Sequence, residues 1–189
     1  LTLRLNIVIA STRPGRVGAP IGVWFHGLAR GHGGFDAHLV DLAEFGLPVY
    51  DEPHHPRLRR YEHEHTRRWS ASVEAADAFV FVTPEYNHGP TPALANALNY
   101  VYLEWNYKPA AFVSYGGVSG GLRSVQATKP ILSALKLVPI VEAVTIQMSP
   151  ERMSDGAFVP AEMHVKGAGD MLTELRRWAE ALKPMRDGR

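Results

Sequence analysis

Five consecutive apolar residues, Ala78-Phe79-Val80-Phe81-Val82, constrain this chain more than any other stretch. A strand with one wet face alternates apolar and polar residues, whereas a strand covered on both faces reads as a continuous apolar run. The β-branched and aromatic content of 78–82 selects strand over helix, and Pro84 bounds it. Directly after it comes Thr83-Pro84-Glu85-Tyr86-Asn87-His88-Gly89-Pro90-Thr91-Pro92, a polar loop, and then the helix-like segment 93–100. A doubly covered strand that ends in a polar loop and feeds a helix is one unit of a parallel α/β sheet. In such sheets ligands bind beyond the carboxyl ends of the strands.

The same alternation runs through the whole chain. Residues 3–10 read as strand one, and a helix begins near Ala19 or Pro20 and stops at Gly31-His32-Gly33-Gly34. Residues 35–41 read as strand two and 42–56 as a long connection. Residues 59–76 read as helix two, with Tyr61, His65, Trp69 and Val73 at four-residue spacing. Strand three covers 78–83, and helix three starts near Pro92. Strand four covers 110–114, and helix four ends near Leu137. Strand five covers 140–146. Residues 148–169 look irregular, and 171–183 read as a last helix with Leu172, Leu175, Trp178 and Leu182 on one side. The expectation is one α/β domain over 1–189, a five-stranded parallel sheet with helices on both faces. In the order 2-1-3-4-5 the loops after strands one, three and four converge.

Composition narrows the classes of function. Twenty Lys and Arg stand against 19 Asp and Glu, a net charge of +1, so no electrostatic case for nucleic acid or a membrane surface arises. The chain has no cysteine, which excludes disulfides, thiolate catalysis and Cys-ligated metal, and fits a reducing, cytoplasmic setting. No apolar run reaches the roughly 18 residues of a bilayer span. Residues 1–10 read as a strand and not as a signal peptide.

Three loops carry the candidate chemistry. Residues 11–18 hold Ser11, Thr12, Arg13 and Arg16 before a helix N-terminus, whose free N–H groups and dipole favour an anion such as phosphate. Neither G-x-G-x-x-G nor G-x-x-x-x-G-K-[ST] occurs, which disfavours a dinucleotide fold of the Rossmann type and a P-loop. Residues 84–92 offer the aromatic Tyr86, with Glu85 and Asn87 as internal braces. A planar heterocycle fits against such a rim. Residues 114–121 contain Tyr115 as a second aromatic face and four glycines, Gly116, Gly117, Gly120 and Gly121, a cost that a special backbone or a close ligand approach explains.

Together these stretches carry a resemblance. Ser11-Thr12-Arg13-Pro14-Gly15-Arg16, Pro84-Glu85-Tyr86-Asn87, Leu94-x-Asn96-Ala97-Leu98, Glu104-Trp105, Lys108-Pro109 and Ser114-Tyr115-Gly116-Gly117-x-Ser119-Gly120-Gly121-x-Arg123 resemble the NADPH-dependent FMN reductase family over residues 4–146. The resemblance implies a flavodoxin-like three-layer fold and hydride transfer from NADPH or NADH through bound FMN. The acceptor would be small: a quinone, free flavin or another electrophile. It implies that Ser11, Arg13, Arg16, Val17 and Gly18 hold the FMN phosphate and that Pro84, Glu85, Tyr86 and Asn87 line the isoalloxazine. Tyr115, Gly116, Gly117 and Gly120 would close its other side. It also implies a homodimer or homotetramer. No protein side chain need act as a catalytic nucleophile or base, since the flavin carries the chemistry. The chain departs from the family's pattern at Ala10, Gly89, Pro90-Thr91-Pro92, Ala95 and Asn99.

Two other readings stand beside it. An electron carrier of the flavodoxin type calls for an acidic docking surface, against which the net charge argues. A binding module that kept the fold but lost flavin is the other. His54, His55, His63 and His65 crowd one segment, yet His63 and His65 diverge if it is helical, so a metal site is not expected there. Arg57, Arg59, Arg60, Arg67 and Arg68, offset by Glu62 and Glu64, read as a solvated face. Tyr100, Tyr102, Trp105 and Tyr107 read as core and subunit contact.

Overall fold

The apolar run forms the middle strand of a five-stranded parallel sheet. In chain order the strands are β1 (Arg4–Ile9), β2 (Asp36–Asp41), β3 (Ala78–Pro84), β4 (Pro109–Gly116) and β5 (Val138–Gln147). Their lateral order is β2-β1-β3-β4-β5, the order expected from the element pattern. This computed structural model describes residues 2–148 and 150–188. Leu1 and Arg189, the ends of the expected domain, and Ser149 lie outside the described residues. β3 is buried along its whole length, and β4 is buried up to Gly116. β2 and β5, at the edges, are partly exposed.

Among the described residues five α-helices cover the sheet: α1 (Gly18–His32), α2 (Glu64–Ala75), α3 (Pro92–Tyr100), α4 (Leu122–Ala134) and α5 (Glu162–Asp187). One face packs α1 and α5, through Ile21, Phe25, Met171, Leu172 and Leu175, against Ile7, Val80 and Val113. The other packs α2, α3 and α4, through Trp69, Val73, Leu94, Leu98 and Leu132, against Val8, Phe79, Phe81 and Phe112. The alternation of β3 side chains between these two clusters is why the run had to be apolar at every position. The result is the flavodoxin-like three-layer sandwich.

Several readings of the sequence are corrected. The second helix begins at Glu64, not at 59, because the buried Glu52 carboxylate accepts from the N–H groups of Glu62 at 2.8 Å and His63 at 3.1 Å. That contact holds the chain extended up to His63. His63 and His65 therefore do not diverge: their rings stack with centroids 5.2 Å apart, and His65 Nε2 lies 3.0 Å from Asp51. The last helix begins at Glu162, not at 171. Gly167 and Gly169 each cost about 1 kcal/mol relative to Ala, but buried His164, Ala168, Met171, Leu172, Leu175 and Ala179 form one stripe that outweighs them. Trp178 lies off that stripe and is 40% exposed. The expected irregular stretch before α5 also holds a small hairpin, β6 (Met153–Ser154) and β7 (Ala157–Phe158). No helix is long and apolar enough to cross a membrane among the described residues.

Candidate cofactor site

The strand registers bring three loops to one edge of the sheet. Ile9 lies level with Val82, and Thr83 and Pro84 lie level with Ser114 and Tyr115. The chain therefore leaves β1, β3 and β4 side by side.

The first loop turns through Gly15, whose φ is +69°, into α1. Val17 is the N-cap residue, with no side-chain cap and no acidic residue in the first turn. The helix dipole and its leading N–H groups are thus left for an outside anion. Ser11 is buried, and its hydroxyl lies 3.1 Å from the Tyr86 hydroxyl. Arg13 is exposed. Arg16 forms an ion pair with Asp41 at the end of β2, while its Nε is buried without a partner. Gly18 gives no room for a side chain: a Cβ there would lie 2.4 Å from Tyr115 Oη.

The second loop is a tight two-residue turn. Tyr86 and Gly89 exchange backbone hydrogen bonds of 3.1 and 2.9 Å. Asn87 and His88 between them have φ of +49° and +66°. Both are left-handed, a conformation that Asn tolerates better than His. Thr91 caps α3 by accepting from Leu94 N–H at 3.0 Å, and its hydroxyl donates to Ala10 O at 2.7 Å. It ties the second loop to the end of β1.

Glu85 braces the third loop, not its own. Its carboxylate accepts from Ser119 Oγ at 2.5 Å, Arg123 N–H at 3.2 Å and Arg123 Nη1 at 3.0 Å. The Ser119 hydrogen bond, and then Arg123, hold its carboxyl below the usual carboxylate value. Tyr115 is 4% exposed and packs in the core beside α1, so it presents no free aromatic face. Burial pushes its hydroxyl pKa up, so the phenol stays protonated. Gly116 is half-buried and Gly117 exposed. Gly120, at φ +58°, is where only glycine fits: a Cβ would lie 2.5 Å from Thr145 Cγ2.

The structure thus gathers Ser11, Arg16, Val17, Gly18, Pro84, Glu85, Tyr86, Asn87 and the 115–120 loop at one edge. Three contributors escaped the sequence reading. Thr91 before Pro92 is an N-cap signal visible in sequence. Asp41 follows from the strand order, which sets the end of β2 beside that of β1. The role of Arg123 as Glu85's partner has no local signature. Of the residues set aside, Arg59 reaches Glu74 and the buried Glu104, and Arg67 reaches Glu64, as expected of a balanced face. Tyr100 and Trp105 are fully buried. Among the described residues no group of three or more His, Asp or Glu side chains is arranged to hold a metal ion.

Residues 3–151 match the family model for NADPH-dependent FMN reductase. The chain belongs to that family. It is 35% identical over 175 residues to an NAD(P)H-dependent FMN reductase of Schizosaccharomyces pombe, covering 90% of this chain and 86% of the relative. It is 34% identical over 140 residues to one from a Nectria species, covering 71% and 70%. Among solved structures, the flavoenzyme NAD(P)H:(acceptor) oxidoreductase FerB of Paracoccus denitrificans superposes with a TM-score of 0.77. It covers 96% of this chain and 98% of its own, at 22% identity, a likeness of fold. The family is one of oxidoreductases that use FMN and NAD(P)H, and the buried, unpartnered Arg16 Nε beside an uncapped helix N-terminus fits a phosphate group.

Proposed function

We propose that the three loops hold one FMN and that this chain passes electrons from NADPH or NADH to a small acceptor. The observation that carries the reading is the first loop. An uncapped helix start, an arginine fixed by Asp41 with Nε to spare, and a second, exposed arginine lie beside the ends of β3 and β4 and would form an anion site.

The residues divide the work. Arg16, oriented by Asp41, and the backbone of Val17 and Gly18 would take the phosphate, with Arg13 closing from solvent. Ser11 would act from below, through the hydroxyl contact with Tyr86. Tyr115 supports the loop by filling the space beneath Gly18. Pro84, Glu85, Tyr86 and Asn87 would line one side of the ring, and Gly116 and Gly117 the other. Gly120 and the Glu85–Ser119–Arg123 clamp would set the spacing. Bound FMN would supply hydride acceptance and electron transfer, chemistry that no side chain of this chain has to provide.

A quinone is the favoured acceptor class, supported by relatives named NADPH:quinone oxidoreductase and quinone reductase, with free flavin next. A homodimer or homotetramer, a cytoplasmic location and a single domain over 1–189 remain part of this reading. The test is direct. The purified protein is titrated with FMN by fluorescence, and oxidation of NADPH and NADH is followed with a benzoquinone. No FMN binding at saturation sinks the reading. FMN binding with neither nucleotide oxidised leaves only an electron carrier.

A further inference from the structure

Reducing a quinone to a hydroquinone takes two electrons and two protons. Hydride, drawn from NADPH or NADH, carries both electrons and one of the protons. The other proton must reach the quinone oxygen that hydride addition leaves negative. Water can supply it, but a positioned acid speeds such a transfer by about 10²–10⁴-fold.

Few groups on the three loops suit that task. Within residues 11–18, 84–92 and 114–121 the ionisable side chains are Arg13, Arg16, Glu85, Tyr86, His88 and Tyr115. Arginine does not release its proton. Glu85 is held ionised by Ser119 and Arg123 and has no proton to give. Tyr115 is buried, and burial pushes its phenol pKa up. The Tyr86 hydroxyl is engaged with buried Ser11 at 3.1 Å. His88 is left, and imidazole is the side chain that ordinarily exchanges its proton between about pH 5 and 8.

The backbone at His88 points the same way. Tyr86 and Gly89 close a turn in which Asn87 and His88 both have positive φ, +49° and +66°. Asn-Gly is the favoured pair for such a turn, so Asn87 fits and His88 is strained where Gly would not be. The ring does nothing for the fold in return. It is exposed, and among the described residues the His88 side chain makes no hydrogen bond, ion pair or ring contact. A strained residue with an idle proton-exchanging ring, next to Asn87 and Tyr86, fits use on a ligand.

We propose that His88 is the general acid that gives the second proton to the bound quinone. The inference rests on the flavin reading above. An imidazolium N–H bond breaks as an O–H bond forms on the hydroquinone anion, and the ring regains its proton from solvent. Each turnover then consumes one NADPH or NADH and one proton. The charged groups on the surrounding loops are Arg13, Arg16 with Asp41, and Glu85 with Arg123. None of them is a group that ordinarily titrates across the imidazole range.

The test compares wild type with His88→Asn and His88→Gly, both of which suit a left-handed turn. Each FMN-loaded protein is reduced chemically and mixed with an acceptor by stopped flow. Reoxidation by p-benzoquinone should slow about a hundredfold in the variants and lose the rise that wild type shows as pH falls through the imidazole range. Reoxidation by ferricyanide, which takes electrons and no proton, should stay at the wild-type rate. Imidazole added to the buffer should restore part of the quinone rate. Two readouts stand apart from turnover. His88→Gly should raise Tm by about 2–4 °C, the scale of one relieved left-handed residue. Hydroquinone added to the oxidised, FMN-loaded wild type should shift the ring NMR resonance that His88→Asn removes. Variants that reduce quinone as fast as wild type, variants that lose ferricyanide reduction to the same degree, or a His88 resonance that hydroquinone leaves in place overturn the proposal alone. A wild type that retains no FMN overturns the flavin reading, and the proposal with it.

Discussion

Replacing Gly18 by Ala tests how the first loop is supported. At the start of a helix this change is normally neutral to favourable by up to about 1 kcal/mol, because Ala loses less backbone entropy than Gly. Here the new Cβ would lie 2.4 Å from Tyr115 Oη and 3.3 Å from Cζ. The first contact is about 1 Å inside ordinary van der Waals distance. Tyr115 cannot swing away, since it is 4% exposed and packed against α1. Overpacking of this kind costs about 1–3 kcal/mol, so the net loss is about 1–2 kcal/mol. That corresponds to roughly 3–6 °C in Tm for a chain of this size. FMN should bind more weakly, because the loop that would hold its phosphate is the part displaced. Adding Tyr115→Phe removes Oη and leaves Cζ, at a distance a small shift absorbs. The double variant should recover most of the loss, a coupling of about 1 kcal/mol or more. Thermal unfolding and FMN fluorescence on the wild type, both singles and the double give the full cycle. A Gly18→Ala protein as stable as wild type, or one that Tyr115→Phe fails to rescue, refutes the packing argument.

Asn87 holds φ +49°, so Asn87→Ala adds about 1 kcal/mol of backbone strain to the loss of the amide. FMN affinity should fall more than for Asn87→Gly, and unchanged affinity in both removes Asn87 from the site. Glu85→Gln should release FMN several-fold faster by loosening Ser119 and Arg123. In the wild type the Ser119 and Arg123 hydrogen bonds hold this carboxyl below the usual carboxylate value, so the clamp should survive to lower pH than an unpaired carboxylate would and fail as pH falls further; stopped-flow release against pH reads this. Lys108 is buried, with Nζ donating to Val73 O at 2.8 Å and Glu74 O at 3.0 Å, and burial pushes its pKa down from 10.5 to about 8. Between those values the unfolded chain binds the extra proton, so stability should rise with pH across that window, by up to about 3 kcal/mol. Urea unfolding at pH 7, 9 and 10 should show the rise in wild type and not in Lys108→Met, and equal slopes would contradict it.

Most of the layered fold was legible because its determinants are local or periodic. The five apolar residues of β3 need two covered faces, and Pro92, Gly33 and the Gly-rich 116–121 stretch punctuate the chain where the structure does. What escaped reading depends on contacts distant in sequence. Residues 59–63 carry a helical pattern, yet Glu52 claims the amides of Glu62 and His63 first. Gly167 and Gly169 read as breakers, yet the stripe from His164 to Ala179 meets a ready-made sheet face. Tyr115 reads as a rim aromatic, yet a strand that ends two residues later than expected points it inward.

The candidate site follows the same division. Its residue types were visible, because hydroxyls, arginines and glycines before a helix N-terminus suit an anion. Their partners were not. Arg16 looks like a free cation in the sequence, but its pairing with Asp41 fixes the guanidinium before any ligand arrives and leaves one buried N–H without an acceptor. Side-chain ordering is a cost of binding that such a pair removes in advance. Arg13, exposed and able to move, still bears that cost. On the proposed reading the two arginines of one loop therefore differ in kind: Arg16 would set where an anion sits, and Arg13 would add charge once it is there. Arg16→Ala should abolish phosphate-dependent FMN affinity, whereas Arg13→Ala should weaken it in a manner that added salt imitates.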